Sequence, residues 1–298
     1  MHVYAATVAV YILLILILPR TNPMMSDMAV TPAQYQALLL VIALPVISIW
    51  FAAVYGYTKL RDYANSIRRT PESRSFNQLA DGAAWLAWSL PASAILTMIM
   101  SVLAHTYPGF RSPAIILTNY TYLLLTFVGL LIMGNAARSL VTNAHVNFST
   151  MTARSLIVLF ITAGVLYCYS IFSSFDSSSL AANDNVFHLP LGVVIVTLVI
   201  PNLFAWFTGT VAIYELHAYK NKVKGLFYKQ SLHLLISGLT AVIVSAIMMQ
   251  YLNSVVPLAN QGLLSYRLVL NLIIGAGAGI GFILIAMGAT RLKRIEEV

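Results

Sequence analysis

The sequence is poor in charged residues and has a single cysteine, and both shortages restrict the class of protein. Only 9% of the 298 residues are charged, whereas 59% are hydrophobic. A water-soluble domain carries about a quarter charged residues, so a soluble fold is excluded. The lone cysteine, Cys168, rules out an intrachain disulfide and a thiolate metal cluster. We therefore expect a chain that folds within a lipid bilayer.

Charged side chains are also missing from the middle of every long apolar segment. A membrane-spanning helix needs about 20 apolar residues, and the runs show no period-two alternation, which favours helices over strands. The candidate segments are 3–19, 35–57, 83–104, 114–137, 155–173, 189–213, 232–252 and 268–290. The predicted fold is an all-α integral membrane protein with eight transmembrane helices.

The lack of intramembrane charge excludes several kinds of membrane protein. A retinal protein needs a lysine within a span, and a voltage sensor needs a row of arginines. An intramembrane protease needs paired aspartates, a Ser–His pair or an HExxH helix, and none of these sets is visible. We expect no catalytic residue and no metal site, and the sequence favours a non-enzymatic role.

The basic residues that are present lie on alternate connections of the chain. Of the 17 lysines and arginines, 14 lie on one set of alternate connections and on the C-terminal tail. Only Arg20, Arg111 and Arg267 lie on the connections of the other set. Basic loops stay in the cytoplasm, so both termini are predicted to be cytoplasmic and the protein to be a multi-pass protein of the cell membrane. The net charge of +8 then belongs to loops that flank the lipid bilayer, and nucleic acid is not an expected partner.

Two sets of residues recur along the chain, one at an offset of 156 and one at 152. The first comprises Pro45, Trp50, Phe51, Leu60, Tyr63 and Asn65, which reappear as Pro201, Trp206, Phe207, Leu216, Tyr219 and Asn221. The second comprises Gln78, Ser93, Ala94, Ile95 and Asn119, which reappear as Gln230, Ser245, Ala246, Ile247 and Asn271. We predict two tandem four-helix units, 1–150 and 151–298, within one membrane domain. Chance matches within a small apolar alphabet are the alternative.

Prolines within the predicted spans point to kinked helices. Pro45, Pro91 and Pro201 each remove a backbone hydrogen bond, and the freed carbonyl must face another helix or a wet cavity. Asn202 follows Pro201 near the middle of its span. Its amide fits either a ligand or water site or a hydrogen bond between helices.

Past the membrane, apolar residues continue at helical spacing through Leu60 and Tyr63, and again through Leu216 and Tyr219. These stretches read as amphipathic helical extensions that lie on the headgroup layer or against each other.

Four ionisable residues on the cytoplasmic rim are candidates for ligand binding or proton relay. Asp81 and His233 correspond at the offset of 152, and across a twofold axis they could share a proton. Alternatively, Asp81 caps a helix N-terminus and His233 lies among the headgroups. Glu215 and His217 are the other two candidates.

Cofactors are not expected, although two are compatible with the histidines. A haem could be held between His105 and His188 on the outer side, and a quinone could bind near the inner histidines. No recognised spacing of histidines supports either group.

Glycines at four-residue spacing mark the last span as a close-packing helix. Gly275 with Gly279, and Gly277 with Gly281, form two overlapping GxxxG pairs. Such pairs let a neighbouring helix approach to backbone distance, within the chain or in a homodimer.

The sequence predicts a non-catalytic membrane subunit, scaffold or sensor, with the bilayer and possible further subunits as partners. A permease for a small neutral or weakly charged solute is the alternative, favoured by the duplication and kinks. A redox subunit with haem or quinone is the second alternative.

Overall fold

A computed structural model of the chain describes residues 2–17, 32–106, 111–142, 200–223, 225–255 and 264–296. These residues form seven α-helices and contain no strand. The helices are α1 (His2–Ile17), α2 (Pro32–Ser66), α3 (Glu72–Thr106), α4 (Arg111–Thr142), α5 (Ile200–Lys222), α6 (Leu226–Val255) and α7 (Leu264–Glu296). The predicted span 155–173 and the start of the next span, 189–199, lie outside the described residues.

Four of these helices are long and apolar enough to cross a membrane. The qualifying stretches are Ala43–Ser66, Leu125–Thr142, Leu226–Met249 and Leu272–Glu296, and α1 contributes the shorter apolar stretch Val3–Leu13. The prediction of an all-helical chain is confirmed for the described residues, and the helices fit a multi-pass membrane protein. The count of eight spans and the orientation of the termini stay predictions.

Five of the helices are longer than the apolar segments that predicted them, namely α2, α3, α4, α6 and α7. The 35 residues of α2 span about 52 Å at 1.5 Å per residue, whereas the hydrocarbon core of a bilayer is about 30 Å thick. The α2–α3 connection is a short turn after Ser66, and the α5–α6 connection includes Gly225, which has a φ of 104°. We call the end of the bundle that holds these two connections the hairpin end.

Six helices close into a ring. Each of α2 to α7 packs on the next helix of the series, and α7 packs back on α2. The most extensive interfaces are those of α3 with α4 and of α6 with α7. Helix α1 packs on α2 and α3, where the Tyr4 hydroxyl donates a hydrogen bond to the Ile47 carbonyl at 3.1 Å.

Glycines set the two tightest helix pairs of the ring. A Cβ atom added at Gly82 of α3 would lie 2.8 Å from the Gly129 carbonyl oxygen of α4. One added at Gly238 of α6 would lie 2.5 Å from the Gly281 carbonyl oxygen of α7. Because the backbones touch at these points, no larger side chain fits without separating the helices.

Candidate functional site

Three aromatic rings from different helices meet in the core at the hairpin end. Phe76 of α3 lies between Tyr63 of α2 and Tyr219 of α5, with ring centroids 5.1 and 6.1 Å apart and both pairs edge-to-face. All three side chains are buried. The helical extensions predicted from the sequence therefore pack in the core around α3 rather than on a headgroup layer.

A tyrosine of α6 adds hydroxyl contacts to this aromatic cluster. The hydroxyl oxygens of Tyr228 and Tyr63 are 2.7 Å apart, a hydrogen bond in which either oxygen can donate. Burial, with smaller effects of Tyr228 and Glu72, raises the pKa of Tyr219 above its ordinary value. The tyrosine hydroxyls of the cluster thus support the packing of the helices. Because its pKa is raised, Tyr219 stays neutral at physiological pH.

The structure gives Asp81 and His233 different partners. Asp81 accepts a hydrogen bond from the Arg61 guanidinium of α2, and about half of each side chain is exposed. The Nδ1 atom of His233 lies 3.0 Å from Nζ of Lys220 on α5. The expectation that Asp81 caps a helix N-terminus is wrong, since α3 begins at Glu72, more than two turns earlier. Their roles in binding or proton relay stay predictions.

The other predicted ligand and cofactor residues are spread along the chain. Glu215 and His217 lie on α5 and are half-buried. Asn202 lies in the first turn of α5, and His105 in the last turn of α3, but their side chains are outside the described residues, as is the whole of His188. The haem and quinone hypotheses therefore stay predictions.

The predicted kink positions lie inside or at the start of continuous helices. Pro45 is exposed within α2, and Pro91 is buried within α3. Pro201 is the second described residue of α5.

The glycines of α7 face two different neighbours. Added Cβ atoms at Gly275 and Gly279 would lie 3.1 and 3.5 Å from side-chain atoms of Ile49 on α2. Those at Gly277 and Gly281 would lie 3.2 Å from Oγ of Ser245 and 2.8 Å from the Gly238 carbonyl oxygen, both on α6. Gly275 and Gly279 therefore face α2, and Gly277 and Gly281 face α6.

Sequence reasoning missed the two side chains that complete the hairpin end. Phe76 lies between the predicted spans 35–57 and 83–104 and belongs to neither, yet it is 1% exposed. Tyr228 follows a run of lysines and carries no apolar period of its own. The apolar spacing of Leu60 and Tyr63 was the available signal that something apolar had to cover them.

Four buried polar atoms in the described part of the ring lack a hydrogen-bond partner there. They are Trp50 Nε1, Thr126 Oγ1, Asn135 Nδ2 and Thr240 Oγ1. An unpaired buried polar group costs about 1–3 kcal/mol, so a water or a ligand group at such a site would be stabilising.

Within the described helices, no three His, Cys, Asp or Glu side chains come together as a metal site. The described residues form an all-helical fold whose long apolar helices fit a multi-pass membrane protein. Comparison of the chain with protein-family models, with curated proteins and with solved structures gives no match.

Proposed function

We propose that the protein is a non-catalytic component of the cell membrane, acting as a scaffold, sensor or subunit of a larger assembly. The observation that carries the proposal is the filled interior at the hairpin end. Tyr63, Phe76, Leu79 and Leu235 are essentially inaccessible there, and glycine contacts hold α3 on α4 and α6 on α7 at backbone distance. A bundle packed in this way presents surfaces rather than a path or a reaction chamber.

The ring supports the further proposal that the chain is a tandem duplication. The order α2, α3, α4 is repeated by α5, α6, α7, and the contact of α4 with α5 has its counterpart in that of α7 with α2. Two such units in the same orientation would be related by an axis along the membrane normal, with both termini in the cytoplasm.

The glycine contacts support one revision of the repeat register. Gly82 meets Gly129 and Met133, and Gly238 meets Gly281 and Ile285 in the same way. These matches put α3 and α6 at an offset of 156, and α4 and α7 at 152. Asp81 then corresponds to Ser237 rather than to His233, so the proton-sharing pair loses its symmetry argument.

Native mass spectrometry of the protein, extracted gently from its own membrane, tests the scaffold proposal. We expect stoichiometric foreign subunits that remain bound through purification. A matched pair of variants then tests where they bind: Phe207→Ala changes a ring-exterior side chain that is 71% exposed, whereas Ser66→Ala changes a polar residue at the hairpin end. A protein that is recovered only as a lone monomer would contradict the proposal.

A permease for a small neutral solute is the second candidate, and the unpaired hydroxyls of Thr126 and Thr240 favour it. Such hydroxyls could bind a solute that replaces their missing hydrogen bonds. The probe is glycerol, followed by the swelling of liposomes that contain the protein. A permease loses flux on Thr240→Val, while Thr290→Val, whose hydroxyl already donates to the Ala286 carbonyl at 2.7 Å, leaves the flux unchanged.

A further inference from the structure

Two lysines and a histidine of α5 and α6 lie at the hairpin end of the α5–α6 pair. Nζ of Lys220 lies 3.0 Å from Nδ1 of His233. Lys229 precedes His233 by four residues on the same helix, and this spacing puts the two on one face. Lys229 and His233 are both exposed. We call Lys220, Lys229 and His233 the cationic corner.

The hydrogen bond fixes the chemistry that the corner presents. A charged ammonium can only donate, so Nδ1 of His233 accepts the bond and the ring proton is on Nε2. The Nε2–H group, the remaining N–H groups of Lys220 and the ammonium of Lys229 are all donors. Together they form a set suited to the oxygens of a phosphate.

No carboxylate of the described helices is within ion-pair distance of Lys220 or Lys229. In the α2–α3 hairpin, by contrast, Arg61 is bound by Asp81 and Lys59 lies 3.7 Å from Asp62. The positive charge of the cationic corner is therefore available to an external anion.

Two apolar side chains beside the corner indicate where that anion comes from. Leu226 is 71% exposed and Phe227 is 76% exposed, and Leu226 is also the first residue of the apolar stretch Leu226–Met249. An exposed Leu–Phe pair at the end of a spanning helix belongs at the boundary of acyl chains and headgroups. A soluble anion would not explain this pair, whereas a lipid satisfies both the apolar and the cationic groups.

We propose that the cationic corner, with Leu226 and Phe227, binds the phosphate headgroup and adjoining acyl chain of an anionic phospholipid. The headgroup phosphate takes hydrogen bonds from Lys220, Lys229 and His233, and the acyl chain lies on Phe227. This site goes beyond the scaffold function, because it holds whether or not other subunits bind.

The test uses the full chain in nanodiscs of phosphatidylcholine with a minor share of phosphatidylglycerol, followed by native mass spectrometry of the lipids that stay bound. Each lysine near a membrane surface contributes a factor of about five in affinity. We expect Lys220→Gln/Lys229→Gln to lose most of the bound phosphatidylglycerol, by about tenfold or more. Lys229→Gln alone, at an exposed position, gives a smaller loss and guards against misfolding of the double variant.

The matched control is Arg68→Gln/Arg69→Gln, which removes the same charge from two exposed positions after α2. Retention of phosphatidylglycerol by the control supports the site, whereas an equal loss in both double variants would show a nonspecific effect of net charge and overturn it. Inorganic phosphate is then added to the wild-type protein in detergent. Displacement of the lipid by millimolar phosphate would assign the site to a soluble anion and also overturn the proposal.

Discussion

Two glycines of α7, only two residues apart, differ in the space around them. A Cβ atom at Gly281 would lie 2.8 Å from the Gly238 carbonyl oxygen, which cannot move without the backbone of α6. At Gly279 the nearest atom is a side-chain carbon of Ile49 at 3.5 Å, an ordinary contact. The same substitution therefore has opposite consequences at the two positions.

We expect Gly281→Ala to lower the free energy of unfolding by about 1–3 kcal/mol, because α6 and α7 must separate. Gly279→Ala should be neutral or stabilising by up to about 1 kcal/mol, since alanine is the better helix former. Thermal unfolding of both variants in detergent measures the difference. Equal losses at the two positions would contradict the packing of α7 on α6.

The hydroxyl contact of Tyr63 with Tyr228 is a second property of single residues. Replacing Tyr63 by Phe removes one partner of a hydrogen bond of 2.7 Å, and we expect a loss of about 1–2 kcal/mol. Adding Tyr228→Phe to the Tyr63→Phe variant should not cost this free energy a second time, because the hydrogen bond between the two hydroxyls is already absent. A double-mutant cycle with a coupling energy near zero would show that the two hydroxyls do not interact.

At the scale of helices, α3 connects α2 with α5 through the aromatic side chain of Phe76. Phe76 contacts Tyr63 of α2 on one side and Tyr219 of α5 on the other. Because all three side chains are buried, this contact fixes where α2 and α5 pack on α3 at the hairpin end.

Phe76→Ala should therefore destabilise the protein by about 3–5 kcal/mol, the range for deleting a buried phenylalanine side chain. The control is Phe227→Ala, which removes the same group from a side chain that is 76% exposed and should change the unfolding temperature little. Loss of the cooperative transition in the control alone would reverse this assignment of the core.

At the scale of the whole molecule, the ring is closed by the contact of α7 with α2, two helices that are far apart in the chain. A Cβ atom at Gly279 would lie 3.8 Å from the Cα atom of Ile49. The Cγ1 and Cγ2 atoms of Ile49, which are bonded to its Cβ atom as the Cα atom is, lie 3.5 and 3.7 Å from the same added Cβ atom. The two positions are therefore close enough for a disulfide to be tested between them.

In a Cys168→Ser background, Ile49→Cys/Gly279→Cys should form an intramolecular disulfide under mild oxidation, in which the added oxidant takes up the two electrons. The product is detected by the loss of the mass of two hydrogen atoms and by a shift in gel mobility. Ile49→Cys/Ile280→Cys is the control, because Ile280 is 60% exposed and lies about 100° further round the helix. An open bundle would give no crosslink in the first variant.

The sequence by itself determined the environment of this protein and its helical class. Long apolar runs without internal charge must form helices in lipid, because backbone groups have no other partners there. The sequence also predicted that the last helix packs closely on its neighbours, because glycine has no side chain to keep two helix backbones apart. The residues that carry this prediction are Gly275, Gly277, Gly279 and Gly281.

Only the tertiary structure decided which side chains meet. The pairing of Asp81 with Arg61, of His233 with Lys220 and of Phe76 with two tyrosines depends on how helices from distant parts of the chain are arranged in the ring. The local sequence shows whether the face of a helix is apolar or charged. It does not show which other helix packs on that face, because this depends on the arrangement of all the helices in the ring.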